Sequence, residues 1–483
     1  MRIVIASPEA VPYVKTGGLA DVAGALIKVF RRMKKDAILV LPLYRTVSGG
    51  QPRLADTGIS LQVPVGDRII VGKVLTDDGA AYFIECDEFF DRPELYGTAD
   101  ADYADNSSRF IFFSKGVIEL CKALAFKPDI IHCNDWQTGL IPLYIKTLHK
   151  HDGFFKKTAT LLTIHNLGYQ GLFPASHMPL TNLGWEMFTP EGIEFYGMVN
   201  FLKGGVIASD VLNTVSETYA REILLPESGF GLHGVLKMRE SDLYGIINGI
   251  DYGEWDPAKD NFLAARYRDL SGKMLCKTDL QRLLFKKSHK GGKQRLPLIG
   301  MVTRLSEQKG MDLVMQAIPD ILSSGARLII LGKGDERFQK GLQKVSDAHR
   351  DNISVTIGFD ETLAHRIYAG SDFFLMPSKY EPCGLGQMIA LRYGTVPIAR
   401  RTGGLADTVQ DFEPLSGKGT GFLFADYTAS AMLDAIKRAF CVFTDGEKMQ
   451  NMIRNGMKMD FSWEKSARRY LELYETALRK RRA

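Results

Sequence analysis

Two doubly wound α/β domains are what this sequence predicts, on three observations. Short continuous apolar runs alternate with helical stretches from one end of the 483 residues to the other. A polar, glycine-rich break interrupts the alternation near the middle, and one seven-residue motif occurs once on each side of that break. Continuous Val/Ile/Leu runs, rather than strict apolar/polar alternation, mark strands buried on both faces. Helical stretches between them imply right-handed β-α-β crossovers.

In the first half the runs are Ile3–Ser7, Ala37–Leu41, Ala81–Cys86, Ile130–Cys133, Ala159–Ile164, Val211–Val215 and Tyr244–Ile247. The break covers 251–295 and ends in the basic, glycine-rich segment 289–294, a good connector. Beyond it come Leu298–Val302, Leu328–Leu331, Ile353–Ile357, Phe373–Met376, Val396–Ala399 and Gly421–Phe424. The expected division is 1–253, 254–458 and a final helix within 459–483, with the helical stretch 258–288 in the second domain. Tyr470, Leu471, Leu473, Tyr474 and Leu478 recur at helical spacing and read as core.

The composition narrows the function classes. Apolar residues make up 45% and charged residues 24%, which is ordinary for a globular chain. No run of 18 apolar residues exists, so no membrane span is expected. A net charge of +5 is too small at this size to argue nucleic-acid binding, the basic tail Arg479–Arg482 included. None of the six cysteines pairs as C-x-x-C, so they read as reduced thiols. With no secretory signal at Met1-Arg2-Ile3, the expected location is cytoplasmic.

Two Rossmann-like halves are expected to face each other across a cleft, with bound groups meeting the loops that follow strands. Lys15-Thr16-Gly17-Gly18-Leu19-Ala20-Asp21 recurs as Arg401-Thr402-Gly403-Gly404-Leu405-Ala406-Asp407. Glycines let a backbone pass close to an anion, and the next helix offers amides and a positive dipole end; a pair of plain glycine turns is the alternative. Arg304 and Lys309, five apart in the loop after a strand, suit a diphosphate, although two solvated surface cations would look the same. Glu381 sits at a strand end, placed for sugar hydroxyls, and the amides of Gly384, Leu385 and Gly386 are placed for its phosphate, with Cys383 in the same substrate-binding set. A carboxylate merely favoured by the helix dipole is the alternative for Glu381. His165 also ends a strand and is the better histidine candidate, since His132 lies within its strand. Trp136 beside Asp135 suits carbohydrate: an aromatic face next to a carboxylate.

These residues resemble one family over nearly the whole chain. The segments Lys15–Val22, Arg92–Gly97, Asp105-Asn106 with Arg109-Phe110, Asn134–Trp136, Thr163–Asn166, Asn248–Asp251, Arg304–Gly310, Glu381–Gln387 and Arg401–Asp407 are similar to those of bacterial glycogen synthases, relatives of plant starch synthases. The resemblance implies the GT-B fold and a retaining transfer of α-glucose from ADP-glucose to the 4-hydroxyl at the non-reducing end of an α-1,4-glucan such as glycogen. It implies no cofactor. By position, Lys15 and the Gly17-Gly18 loop approach the donor, and Arg304 and Lys309 neutralise the leaving diphosphate. His165 lies beside the anomeric centre and Glu381 holds glucose hydroxyls. Asp135, Asn166 and Tyr96 line the glucose and acceptor side, Asn248 belongs to the substrate-binding set, and Asp21 sets the glycine loop.

Two departures stand out. Position 386 is Gly where many relatives carry Thr. Position 389 is Ile where sucrose-, mannosyl- and galactosyl-transferring relatives carry a second glutamate. No metal is expected: Asp100-Ala101-Asp102 matches a D-x-D pattern easily met by chance, and His149 and His151 face apart on a helix. UDP-glucose as donor is the nearest alternative, followed by a nucleotide-sugar epimerase of the same build. A silent glucan-binding protein would not need a diphosphate clamp.

Overall fold

Every apolar run named above becomes part of a strand, and these strands collect into two sheets. The structure, a computed structural model, describes residues 1–48, 54–98, 101–285 and 296–482. It falls into two units, one of Met1–Val215, Ala220–Ile246 and Trp463–Ala483, the other of Ser216–Tyr219 and Ile247–Ser462.

The strands of the first unit are β1 (Arg2–Ala6), β2 (Asp36–Pro42), β3 (Ala55–Val65), β4 (Arg68–Asp77), β5 (Ala81–Glu85), β6 (Ile130–Asn134), β7 (Ala159–Ile164), β8 (Leu172–Pro174), β9 (Glu194–Phe195), β10 (Met198–Asn200), β11 (Val211–Thr214) and β12 (Leu243–Gly245). Nine of them form one sheet in the order β12-β11-β7-β6-β1-β2-β5-β4-β3; the other three form a small sheet, β8-β10-β9. β12 through β5 run parallel, and β4 and β3 add an antiparallel hairpin at the edge. That hairpin was not expected from the continuous runs. In β3, Leu61, Val63 and Val65 are buried between exposed Gln62 and Pro64, the alternation of a strand with one wet face.

The second unit holds β13 (Leu298–Val302), β14 (Arg327–Gly332), β15 (Ile353–Ile357), β16 (Phe373–Met376), β17 (Val396–Arg400) and β18 (Phe422–Phe424). They form one parallel sheet in the order β15-β14-β13-β16-β17-β18. Its core includes Ile299, Met301, Leu328, Ile330, Phe373 and Ile398.

Both sheets share one topological feature. From β1 the chain builds to one side through β2 and to the other through β6; from β13 it builds outward through β14 and then back through β16. The loops after β1 and β6, and after β13 and β16, therefore flank a switch point, where an open α/β sheet binds ligands.

The expected boundaries at 253/254 and 458/459 compare with 246/247 and 462/463 in the structure. The reason is local pairing: Ile250 bridges Ser462, and the Ile250 amide donates to Phe461 O at 2.8 Å, which ties both crossing segments into the second unit. The stretch from 258 is not helical at first. The helix spans Leu270–Leu284, capped by Asp269 on the amides of Ser271 and Gly272; the connector at 289–294 lies outside the described residues. The helix Trp463–Arg482 packs into the first unit, where Tyr474 Oη meets His132 Nδ1 at 2.8 Å and Asn213 Nδ2 donates to Tyr470 Oη at 3.0 Å. His132 is thus the satisfied core histidine its mid-strand position suggested. Among the described residues no helix is long and apolar enough to cross a membrane.

Candidate functional site

In the first unit, the loop after β1 is organised by Glu9, which the sequence reading passed over. Its buried carboxylate accepts from Thr16 Oγ1 at 2.6 Å, from Tyr96 Oη at 2.6 Å and from the Thr16 amide. These bonds fix the strand-to-helix turn carrying Lys15, whose Nζ lies 2.8 Å from Asp21 Oδ1. Burial raises the Asp21 carboxyl while Lys15 pulls it back down. Gly17 and Gly18 border open space, and helix Gly18–Arg32 starts with no side-chain cap, the Ala20 amide turning back onto Gly17 O at 3.3 Å.

Tyr96 is held from behind by the motif residues around it. Arg92 forks onto Asp105 at 2.7 and 2.6 Å, Asn106 Nδ2 donates to Tyr96 O at 2.7 Å, and Arg109 Nη1 donates to Asn106 Oδ1 at 2.6 Å. These family motif residues therefore act as scaffold. Asp102 of the D-x-D pattern pairs with Gly97 in a short bridge, and Asp100 lies outside the described residues. His149 packs edge-on against Phe155, 3.6 Å from Asp152.

The loops after β6 and β7 interlock. Asp135 adopts φ 56°, ψ −170°, a region nearly confined to glycine that costs on the order of 1–3 kcal/mol elsewhere. It is held there because its amide donates to Thr163 O at 2.9 Å while its carboxylate accepts from the His165 amide at 2.7 Å and from the Asn166 amide. Burial pushes this carboxyl up to about 7 against those two amides, with the charge of Glu9 adding to the rise. His165 Nε2 donates to Asn134 Oδ1 at 2.9 Å, and burial pushes the imidazole down to about 3, so it is neutral at physiological pH. Asn166 Oδ1 caps its own turn by accepting from the Gly168 amide. The expected aromatic platform is not there. Trp136 is buried, edge-on to Phe110 at 4.9 Å and packed with Phe173 and Phe201. An indole flanked by three aromatic rings belongs to the core.

In the second unit, the loops after β13 and β16 meet directly. Lys309 Nζ lies 2.6 Å from Glu381 Oε2, which also accepts from Ser378 Oγ at 2.9 Å. Gly310 makes the approach possible: at φ +75° its Cβ position lies 2.2 Å from Pro377 O, where only glycine fits. The Lys379 amide completes the join by donating to Gln308 O at 2.8 Å. Arg304 is exposed and its Nη2 donates to Gln308 Oε1 at 3.2 Å. An ammonium, a guanidinium and a buried carboxylate thus share one loop pair.

Cys383 contributes backbone rather than thiol: burial pushes its thiol up to about 12, and the Asn248 amide donates to the sulfur. Asn248 is itself buried and its Oδ1 has no hydrogen-bond partner. Gly384 and Leu385 lead into helix Gly386–Arg392, whose first residue lies 2.9 Å, at its Cβ position, from the Phe374 ring. That ring, packed at a tilt against Tyr368, occupies the room a threonine at 386 would need.

The repeated motif has two different uses. In the second copy the Cβ positions of Gly403 and Gly404 lie 2.0 Å from Glu381 O and 2.1 Å from Cys383 O, and the Gly404 amide donates to Glu381 O at 3.1 Å. This copy braces the Glu381 loop and its Gly404 amide is already taken, whereas the first copy opens onto free space.

Comparison with known proteins matches this layout. Residues 2–238 fit the family described as starch synthase catalytic domain, and residues 284–459 fit glycosyl transferases group 1. The chain is 46% identical over 486 residues to the glycogen synthase of Geotalea daltonii, covering 100% of both. It belongs to the glycogen synthase family. A second member, the glycogen synthase of Thermodesulfovibrio yellowstonii, is 45% identical over 98% of this chain and 97% of its own. The catalytic domain of Arabidopsis thaliana starch synthase IV, solved bound to ADP and acarbose, superposes with a TM-score of 0.90 at 34% identity, covering 99% of each chain. A sucrose-phosphate synthase from Thermosynechococcus elongatus, at 16% identity and a TM-score of 0.61, shares the fold alone. As a glycogen synthase family member the chain is a glycosyltransferase with the two-domain GT-B fold.

Proposed function

We propose that the protein transfers glucose from ADP-glucose to the 4-hydroxyl at the non-reducing end of an α-1,4-glucan, with retention of configuration and release of ADP. The observation that carries the reading is the Lys309–Glu381 pair beside Arg304. A charge clamp adjoining a carboxylate suits a sugar joined to a diphosphate: cations meet the leaving group, and the carboxylate orders hydroxyls. Lys15 and the Gly17-Gly18 loop are assigned to the same donor, with Asn248 and the Cys383–Gly386 backbone. Tyr96, Asp135, Asn166 and His165 are assigned to the glucose and acceptor. ADP is favoured over UDP because the starch synthase relative was solved with ADP.

Retention is assigned to front-face attack, in which the leaving phosphate takes the acceptor proton while Arg304 and Lys309 steady it. Asp135 is tied to two backbone amides in a strained conformation, which suits an orienting group better than a mobile nucleophile. His165, neutral and fixed through Asn134, orients by hydrogen bonding rather than by charge. The reaction is placed in the cytoplasm, in keeping with six free cysteines, five of them buried.

The test is release of nucleoside diphosphate from ADP-glucose and from UDP-glucose, each with and without glycogen. Rapid, glycogen-dependent release from ADP-glucose is expected. Faster release from UDP-glucose would overturn the donor assignment, and release of free epimerised sugar nucleotide would overturn the reaction.

A further inference from the structure

A second cluster in the second unit shares no residue with the proposed transfer site. Glu361 and His365 lie four apart on helix Glu361–Gly370 and so on one face. Glu254 comes from the loop after Asn248. One imidazole nitrogen of His365 and one carboxylate oxygen from each glutamate all lie within 4.8 Å of one another.

The histidine is held as a ligand is held. It is 1% exposed, and the Trp255 ring stacks on its face at 4.0 Å and 11°. Its Nδ1 lies 2.7 Å from Asp260 Oδ2, which also accepts from Tyr393 Oη at 2.6 Å. Asp260 thereby makes Nδ1 the donor nitrogen, so the neutral ring carries its lone pair on Nε2. Nε2 is buried and has no hydrogen-bond partner. A buried polar atom left unpaired is costly, and on the neutral ring the two nearby carboxylates, being acceptors, do not pair with the Nε2 lone pair. A cation satisfies the lone pair, with carboxylate oxygens at hand to complete its shell. A carboxylate-bound Nδ1 behind a free Nε2 is also the outer-shell arrangement that orients metal-bound histidines.

We propose that Glu254, Glu361 and His365 bind one divalent first-row cation, oriented by Asp260. Both glutamates are exposed, so their side chains can turn to bring the oxygens to bonding distance of one ion. One nitrogen with two carboxylate oxygens suits Zn²⁺ or Mn²⁺, and Zn²⁺ is the tighter of the two in the general affinity order. The ion fastens the 254–260 loop to helix Glu361–Gly370, stabilising the fold by mass action and taking no part in glucosyl transfer.

The test uses the full chain, stripped with chelator and titrated with ZnCl₂ by calorimetry and with CoCl₂ by visible absorption. One saturating equivalent is expected, with a rise in melting temperature. The Co²⁺ spectrum should lack the thiolate band that the exposed Cys441 would give. Glu361→Gln, an exposed change that keeps the helix, should weaken Zn²⁺ binding more than about tenfold and abolish the rise in melting temperature. Glu254→Gln should act likewise. Absence of saturable binding, equal binding by the variants, or a thiolate-dominated Co²⁺ spectrum would overturn the proposal.

Discussion

Lys309 and Glu381 are 72 positions apart in sequence and 2.6 Å apart in space, and the transfer reading leans on them most. Replacing Lys309 by Ala removes a cation from the leaving group and leaves a buried carboxylate uncompensated. Turnover should fall on the order of 10²–10³-fold in protein that circular dichroism shows to be folded. Lys309→Arg, which keeps the charge, should lose much less; equal losses would argue against a charge role. Glu9 makes a quieter prediction. Both of its oxygens accept from the loop bearing Lys15, so Glu9→Gln must either set its amide donor against the Thr16 amide or make the Thr16 and Tyr96 hydroxyls turn to accept. Loss of about one hydrogen bond's worth of order should raise KM for the nucleotide sugar roughly tenfold. Nothing in Ser7-Pro8-Glu9 announced this residue, because it acts through Thr16 and Tyr96, which only folding brings to it. Three buried titratable groups set the acid response. His132 and His165 fall from 6.5 to about 3, so unfolding below pH 6.5 takes up protons and stability drops with pH. Asp135 rises from 3.8 to about 7 and works the other way, gaining stability as pH falls through 7. Two groups outweigh one, so these residues lower the melting temperature from pH 7 to pH 5. Asp135→Asn should steepen that fall; a shallower fall would contradict the assignment.

The repeated glycine motif separates what a motif says from what an element does with it. Gly17 borders open space at φ −153°, ordinary extended backbone. Gly17→Ala should therefore leave melting within about 0.5 kcal/mol of wild type and show its effect as weaker donor binding. Gly404→Ala drives a methyl to 2.1 Å from Cys383 O, and overpacking of this kind costs about 1–3 kcal/mol. A destabilised Gly17→Ala with an undisturbed Gly404→Ala would reverse the reading. The parallel strands were legible because strands such as β2 and β13 carry a continuous apolar run, Ala37–Leu41 and Leu298–Val302, buried almost throughout. The β3–β4 hairpin was not, because every second side chain of its inner half meets water. Trp136 was misread for a related reason: an indole next to a carboxylate looks the same in sequence whether its ring faces a sugar or Phe110.

At the scale of the whole molecule, each sheet places its chemistry at its own switch point: Glu9, Lys15 and Asp135 around β1 and β6, and Arg304, Lys309 and Glu381 around β13 and β16. All of these but Glu9 were readable from strand-end positions before any coordinates. The pairing of Glu254 with Glu361 and His365 was not, since the loop and the helix are joined only by the fold. The central claim is glucosyl transfer to a glucan end, and the direct measurement is incubation of maltohexaose with ADP-glucose followed by proton NMR of the product. The account predicts maltoheptaose with one new α-1,4 anomeric signal per ADP released. A β-anomeric signal, or ADP released with no lengthening of the glucan, would contradict it.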